Sequence, residues 1–401
     1  MSGKMKDFQQ QIRNESDAIL EYWLRHSIDE VNGGFYGRID ETDIADPRSI
    51  KGVVLNARIL WTFSAAYNHT GKEVYLQTAR RAFHYILDHF IDREFGGVYW
   101  SLDAKGLVFD GKKQVYGQAF VLYGLSEYYL ASKEDVALNE ATQLYQLIEA
   151  RSHDKINDGY EEAFARDWSA MDDLRLSIKD VNEKKTANTH LHVIEAYANL
   201  YRAWPQPELA EHIAGLLNLF HTRFINPNDS HLKLFFNEKW IEKPDVISYG
   251  HDIEAAWLLL QCAETIADEY WTRIFQQHAV TLCNAAMRGL DKDGGLWYEY
   301  NQASRQLIKE KHWWPQAEAL VGFINAYTLS GDHQYFQKAI DNWHFITRHI
   351  IDKENGEWYW GIDENNTVMP GQDKAGFWKC PYHNTRACIE LDKRLFNLIH
   401  T

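Results

Sequence analysis

Leu55, Ile59, Leu60, Phe63 and Ala66 fall on one face of a helix of period 3.6, as do Val193, Ala196, Tyr197 and Leu200. The same period recurs along the chain and predicts twelve helices. They lie near 8–27, 52–68, 72–91, 114–131, 134–151, 187–203, 207–224, 250–266, 270–289, 313–330, 333–351 and 381–399. One kind of connection between them is short and polar: His69-Thr70-Gly71-Lys72, Ala131-Ser132-Lys133-Glu134 and Ser330-Gly331-Asp332. The other kind is long and carries a glycine–aromatic signature.

That signature is an internal repeat. It reads Asn32-Gly33-Gly34-Phe35-Tyr36 first, then Phe95-Gly96-Gly97-Val98-Tyr99, Asn157-Asp158-Gly159-Tyr160, Asp293-Gly294-Gly295-Leu296-Trp297 and Asn355-Gly356-Glu357-Trp358-Tyr359. Asn228-Asp229-Ser230-His231-Leu232 is a degenerate sixth copy. Successive copies stand about 60 to 70 residues apart, the span of a repeating supersecondary unit. Turn glycines followed by alternating aromatics predict a short hairpin in each long loop. Two helices per repeat, six repeats and no linker predict an all-α chain: a single (α/α)6 barrel over 1–401, twelve helices with short β-hairpins in the long loops. A solenoid is the structural alternative.

Composition narrows the partners. The formal charge of −15 disfavours nucleic acid, which rewards clustered Lys and Arg. No stretch reaches the apolar length of a membrane span. Met1 to Gln11 is polar, unlike a secretory signal. Cys262, Cys283, Cys380 and Cys388 lack metal-ligand spacing and read as free thiols of a reducing cytoplasm. The 15 Trp fit either a large aromatic core or stacking against sugar faces.

Chemistry is expected on the long-loop face, because the short connections leave little room. The second helix of each pair begins there. The first turns of these helices carry Arg58, Tyr116, Asn188 with His192, His251 with Glu254, Trp313 with Trp314, and Cys380-Pro381-Tyr382-His383-Asn384. One group per repeat thus reaches the same rim. Each also has a plainer reading. Arg58, on an otherwise apolar helix, fits an edge residue, and any single histidine fits a satisfied core position. His190 and His192, two apart on a helix, point in different directions, so at most one lines the pocket. Trp313 and Trp314 likewise divide between core and pocket. His251-x-x-Glu254 puts both side chains on one face, but the further inward Glu residues and second such motif of a di-iron site are missing. There is no P-loop, GxGxxG or HExxH sequence.

The segments Ala187-Asn188-Thr189-His190-Leu191-His192, Ser248-Tyr249-Gly250-His251-Asp252-Ile253-Glu254-Ala255, Trp313-Trp314-Pro315-Gln316-Ala317-Glu318 and Trp378-Lys379-Cys380-Pro381-Tyr382-His383-Asn384 resemble the N-acylglucosamine 2-epimerase superfamily, and most of all its cellobiose 2-epimerase branch. Asn56-Ala57-Arg58 and Tyr116-Gly117-Gln118-Ala119-Phe120 match it too, and only Asp167 to Lys185 matches poorly. The resemblance implies an (α/α)6 barrel that interconverts reducing-end glucose and mannose units of β-1,4-linked disaccharides, with no metal, nucleotide or redox cofactor. It implies His251 and His383 as the acid/base pair and His192 as a further pocket histidine. Arg58, Tyr116, Asn188 and Glu254 would hold substrate or orient a histidine. Trp314 and Trp378 would line the sugar sites, and Asp180 would contact the distal sugar. A monomer or weak homodimer is expected.

These residue types suit the chemistry. Inversion at C2 needs a base to remove a proton made acidic by the open-chain carbonyl, and an acid on the opposite face. Histidine serves as either near neutrality. Glu254, one turn from His251, is expected to fix its tautomer or raise its pKa. Rival readings are an aldose–ketose isomerase or epimerase acting on monosaccharides or N-acylglucosamine, a non-catalytic sugar-binding protein, and a glycoside hydrolase. The last needs two carboxylates flanking the bond, for which only Asp180 and Glu254 offer themselves.

Overall fold

Two kinds of helix alternate along the chain. The structure is a computed structural model describing residues 2–243 and 246–400. One kind is buried nearly all round over its first turns: α2 (Val53–Thr70), α4 (Val115–Ser132), α6 (Ala187–Ala203), α8 (Tyr249–Thr265), α10 (Trp313–Ser330) and α12 (Tyr382–His400). In α2 every residue from Val53 to Ala66 is buried. The other kind buries one stripe only: α1 (Ser2–His26), α3 (Glu73–Tyr85), α5 (Asp135–Arg151), α7 (Pro207–Leu219), α9 (Glu269–Ala286) and α11 (His333–Phe345). The even-numbered helices pack in the cyclic order α2–α4–α6–α8–α10–α12–α2, and α1 packs on α12. The result is the expected (α/α)6 barrel with the even-numbered helices as its inner wall.

Sharp stops set the short connections. Gly71 and Gly331 end α2 and α10 in the left-handed region at φ 70°, where only glycine sits without strain. The runs near 72–91, 207–224 and 333–351 are helical as expected, but α3, α7 and α11 finish in one π-turn, at Ile86–Phe90, Phe220–Phe224 and Ile346–Ile350.

All six glycine–aromatic turns are present, the degenerate copy included. Each is closed by one antiparallel bridge: Ile28 with Phe35, Ile91 with Val98, His153 with Tyr160, Ile225 with Leu232, Leu290 with Leu296 and Ile351 with Trp358. Beyond that bridge the chain pairs with another repeat. The residues just before an inner helix pair with those after the next turn, as Lys51 with Leu102, Lys113 with Phe164, Lys185 with Phe236, Ser248 with Glu299 and Lys311 with Ile362. Ile39 pairs with Ala375 and ties the sixth repeat to the first.

A buried ion pair fastens most of these junctions. Lys51 Nζ lies 2.9 Å from Asp29, Lys113 2.8 Å from Asp92, Lys185 2.8 Å from Asp154, Lys311 2.7 Å from Asp291 and Lys374 2.6 Å from Asp352. The aspartate also accepts turn N–H groups, as Asp29 does from Val31 and Asn32. In the fourth repeat Asn226 and Ile247 stand at the two positions, so both charges are missing together. Among the described residues no helix is long and apolar enough to cross a membrane.

Candidate active site

The first turns of the inner helices bring His251, His383 and Trp314 together. Gly250 makes this possible: a Cβ there would lie 2.4 Å from the Trp314 ring, so the indole packs directly on α8. The Trp314 ring then stands 4.9 Å from the His251 ring and 5.7 Å from that of His383. Trp313 is buried against Trp360 at 4.6 Å, so the neighbouring tryptophans divide between core and pocket as expected.

The two histidines have different supports. His383 Nδ1 lies 2.7 Å from Glu318 Oε1. Burial, then the charges of Arg58 and Arg386, hold its imidazole well below the usual range, so the ring is neutral. A neutral ring donating Nδ1–H to a carboxylate carries its lone pair on Nε2. His251 Nδ1 lies instead 2.8 Å from Ser248 Oγ. Burial and the nearby His192 push its pKa down to about 3. Glu254 does not serve His251 as expected. Its Oε1 accepts from Arg386 Nη2 at 2.6 Å and lies 4.0 Å from His383 Nδ1. A buried carboxylate gains more from a guanidinium than from a neutral ring, and that draws Glu254 away.

Arg386 is the centre beneath the histidines. Its Nη2 also reaches Glu318 at 2.7 Å, its Nη1 reaches Glu195 and Tyr382, and its guanidinium lies over the Trp257 and Tyr382 rings. Glu195, despite its burial, is held down to about 2 by Arg386 and by His192, whose Nδ1 is 2.9 Å away. Burial and repulsion from Glu318 push Glu254 up to about 7. Three carboxylates around one guanidinium thus retain a proton near neutrality. Glu254, Glu318 and His383 place ligand-type atoms within 4.8 Å of one another, but Arg386 already supplies the positive charge there. The same pairing occupies the inward carboxylates that glycosidic hydrolysis would need.

Arg58 faces this centre from α2. Its Nη2 donates to Tyr116 Oη at 2.7 Å and its Nη1 to the Trp378 carbonyl at 3.3 Å, with the Phe120 ring beneath it at 4.2 Å. It is buried and aimed inward, not an edge residue. Tyr116 packs edge-on against His192 at 5.1 Å. Trp378 lies half-buried 6.0 Å from Tyr116 and 5.9 Å from Trp100. Asn188 is half-buried in the first turn of α6. Asp180 sits on the segment between residues 165 and 184, where its carboxylate accepts from Ser177 N at 2.8 Å. Its charge acts on Glu162 and Tyr298. His190 is structural: Nδ1 is 2.7 Å from Thr186 O, and Nε2 accepts from Tyr160 N in the third turn.

The residues not anticipated as site residues are Ser248, Glu195, Glu318 and Arg386, while Tyr382, from the rim group of α12, donates to Glu195. A signal for two of them existed: His192-x-x-Glu195 and His383-x-x-Arg386 set a charge one turn below a rim histidine.

The sequence from residue 10 to 387 matches the N-acylglucosamine 2-epimerase (GlcNAc 2-epimerase) family model. The chain belongs to this family. It is 47% identical to a cellobiose 2-epimerase of Bacteroides fragilis over 93% of this chain and 95% of that protein. With a cellobiose 2-epimerase of Ruminococcus albus it shares 39% identity over 96% and 98% of the two chains. The solved structure of the Bacillus thermoamylovorans cellobiose 2-epimerase superposes with a TM-score of 0.92 at 38% identity, covering 97% of this chain and all of that one (100%). The helical-barrel fold of this chain is thus that of sugar epimerases.

Proposed function

We propose that this protein is a cofactor-independent cellobiose 2-epimerase. It interconverts the reducing-end glucose and mannose units of β-1,4-linked disaccharides. The observation that carries the reading is the pair His251 and His383, both beside the Trp314 indole, each with Nδ1 occupied and Nε2 left for substrate. The similarity to cellobiose 2-epimerases over nearly the whole chain supports the substrate. The buried, unpaired state of all four cysteines agrees with a cytoplasmic enzyme.

The reducing sugar opens to its aldehyde. One histidine takes the C2 proton, and the electron pair delocalises onto O1. Arg58, with Tyr116 as its hydrogen-bond partner, faces that charge; such stabilisation is commonly worth about 3–4 kcal/mol. The cis-enediolate turns about C2–C3, and the second histidine returns a proton to the other face of C2. Trp378, Asn188, Asp180 and His192 hold the sugar. The non-reducing ring stays closed on an aromatic surface while the reacting unit is linear, so remote binding energy positions C2.

The test is NMR of cellobiose, lactose, mannose and N-acetylglucosamine incubated with enzyme in heavy water, with and without EDTA. Cellobiose is expected to give its C2 epimer with deuterium at C2, undiminished by EDTA. Deuterium at C1 with a ketose product would make it an isomerase. A higher kcat/KM for mannose than for cellobiose would overturn the disaccharide assignment, and loss of activity on chelation would overturn cofactor independence.

A further inference from the structure

Ser248 occupies the residue before α8, in extended backbone at φ −105° and ψ 103°. This is the N-cap position, where a serine oxygen ordinarily accepts a helix N–H. The equivalent Thr186 before α6 does so, accepting from Thr189 N at 3.1 Å. Ser248 does not cap its helix. Its hydroxyl is turned instead onto His251 Nδ1 at 2.8 Å, and the residue is 1% exposed. A buried hydroxyl has therefore left its usual helix partner for the ring of a proposed acid/base histidine.

We infer that Ser248 is a positioning residue that holds the His251 ring through Nδ1, so that Nε2 is aimed for proton transfer with the substrate. This rests on the reading of His251 and His383 as the proton-transfer pair. Both partners engage Nδ1 and leave Nε2 for the substrate. They differ in kind: His383 Nδ1 faces a carboxylate 2.7 Å away, whereas His251 Nδ1 meets a single neutral hydroxyl, and that hydroxyl fixes the orientation of the His251 ring.

The step balances as follows. His383 Nε2 forms a bond to the C2 proton, the C2–H bond breaks, and its electron pair becomes the C1–C2 double bond as the carbonyl pair moves to O1. The Nε2–H bond of His251, in the fraction of molecules whose buried ring has taken a proton from solvent, then breaks, a new C2–H bond forms on the opposite face, and O1 returns to a carbonyl. One proton has moved from His251 to His383, and exchange with solvent restores the starting form. In the reverse reaction the two histidines trade roles.

The experiment compares wild type, Ser248→Ala, Ser248→Thr and His251→Ala. Ser248→Ala is expected to lower kcat by about tenfold or more, short of the 10²–10⁴-fold loss of a general acid or base, with KM and melting temperature nearly unchanged. Ser248→Thr, which keeps the hydroxyl, restores most of kcat. In heavy water, Ser248→Ala raises the ratio of C2 deuteration in recovered starting sugar to epimer formed. It does so for one epimer only, the one deprotonated by His383, because the intermediate waits for its second proton. If Ser248→Ala lowers the melting temperature but keeps kcat, or raises the ratio equally for both epimers, the inference is overturned. Near-normal turnover by folded His251→Ala would instead overturn the acid/base reading itself.

Discussion

The lysine–aspartate pairs at the rim and the Arg386 cluster at the centre are both buried charge, but they are built on opposite plans. A rim pair sets one lysine against the turn aspartate, recurs around the barrel with one further charge in three repeats (Arg166 on Asp92, Asp293 on Lys311 and Asp43 on Lys374), and is replaced in the fourth repeat by Asn226 and Ile247. The central cluster sets one guanidinium among Glu195, Glu254 and Glu318 and occurs once. A rim pair without a further charge, such as Lys51 with Asp29, is balanced and therefore dispensable as a pair, since a buried ion pair exchanged for uncharged residues of similar volume is often neutral in stability. The centre gathers three carboxylates on one guanidinium, and burial with the repulsion of Glu318 raises the proton affinity of Glu254. The repeat supplies architecture, and departure from the repeat supplies chemistry.

The largest effect expected is on turnover alone. His251→Ala and His383→Ala each reduce kcat by about 10²–10⁴-fold while circular dichroism and melting temperature stay near wild type. Folded variants with near-normal kcat would erase the functional half of the comparison. Next comes Arg386→Met, which strands three buried carboxylates. It should cost about 3–5 kcal/mol by denaturant titration, and Arg386→Lys should recover only part, because an ammonium cannot match the planar fork. At the rim, Lys51→Ile alone leaves Asp29 buried without its cation and is expected to cost about 3 kcal/mol. Adding Asp29→Asn, to copy the fourth repeat, should bring stability back to within about 1 kcal/mol of wild type. Additive losses in that double-mutant cycle would refute the rim's dispensability.

The smallest effects concern pH, and the two regions carry opposite signs. Asp352, despite its burial, is drawn down to about 2 by Lys374 and the turn amides. Its stabilising contribution is present above its ordinary value of 3.8 and is lost as pH falls toward about 2. Glu254, raised from 4.5 to about 7 by burial and Glu318, binds its proton more tightly when folded. Its contribution is full below 4.5 and is lost as pH rises to about 7. Guanidinium unfolding across pH should show Glu254→Gln flattening the upper slope and Asp352→Asn the lower one.

Much of the rim was legible in the chain. Helix period placed all twelve helices, and the turn motif found even the copy at Asn228 to Leu232. Arg58, Tyr116, His192, His251, Trp314 and His383 reach one end of the barrel because each lies within the first two turns of an inner helix. The inner partners were harder to read. Glu254 was assigned to His251 from their i, i+3 spacing, which fixes a shared face but not which side chain from another helix competes for the carboxylate. Arg386 meets Glu195, Glu254 and Glu318 from three other helices, and no local period encodes such a meeting. Ser248 is of a residue type that ordinarily caps a helix, and only the structure shows its hydroxyl turned to the histidine.

The sealing of Arg386, buried with its three carboxylates, has a consequence for dissolved ions. Mobile salt weakens interactions between charges that water can reach, over a Debye length of about 8 Å at physiological ionic strength. Inside the barrel there is no counter-ion atmosphere to rearrange. The substrate is uncharged as well, so the chain's formal charge of −15 neither draws it in nor holds it off. Catalysis is therefore expected to run at nearly the same rate in dilute buffer and in strong brine, while exposed pairs such as Lys72 with Asp17 fade.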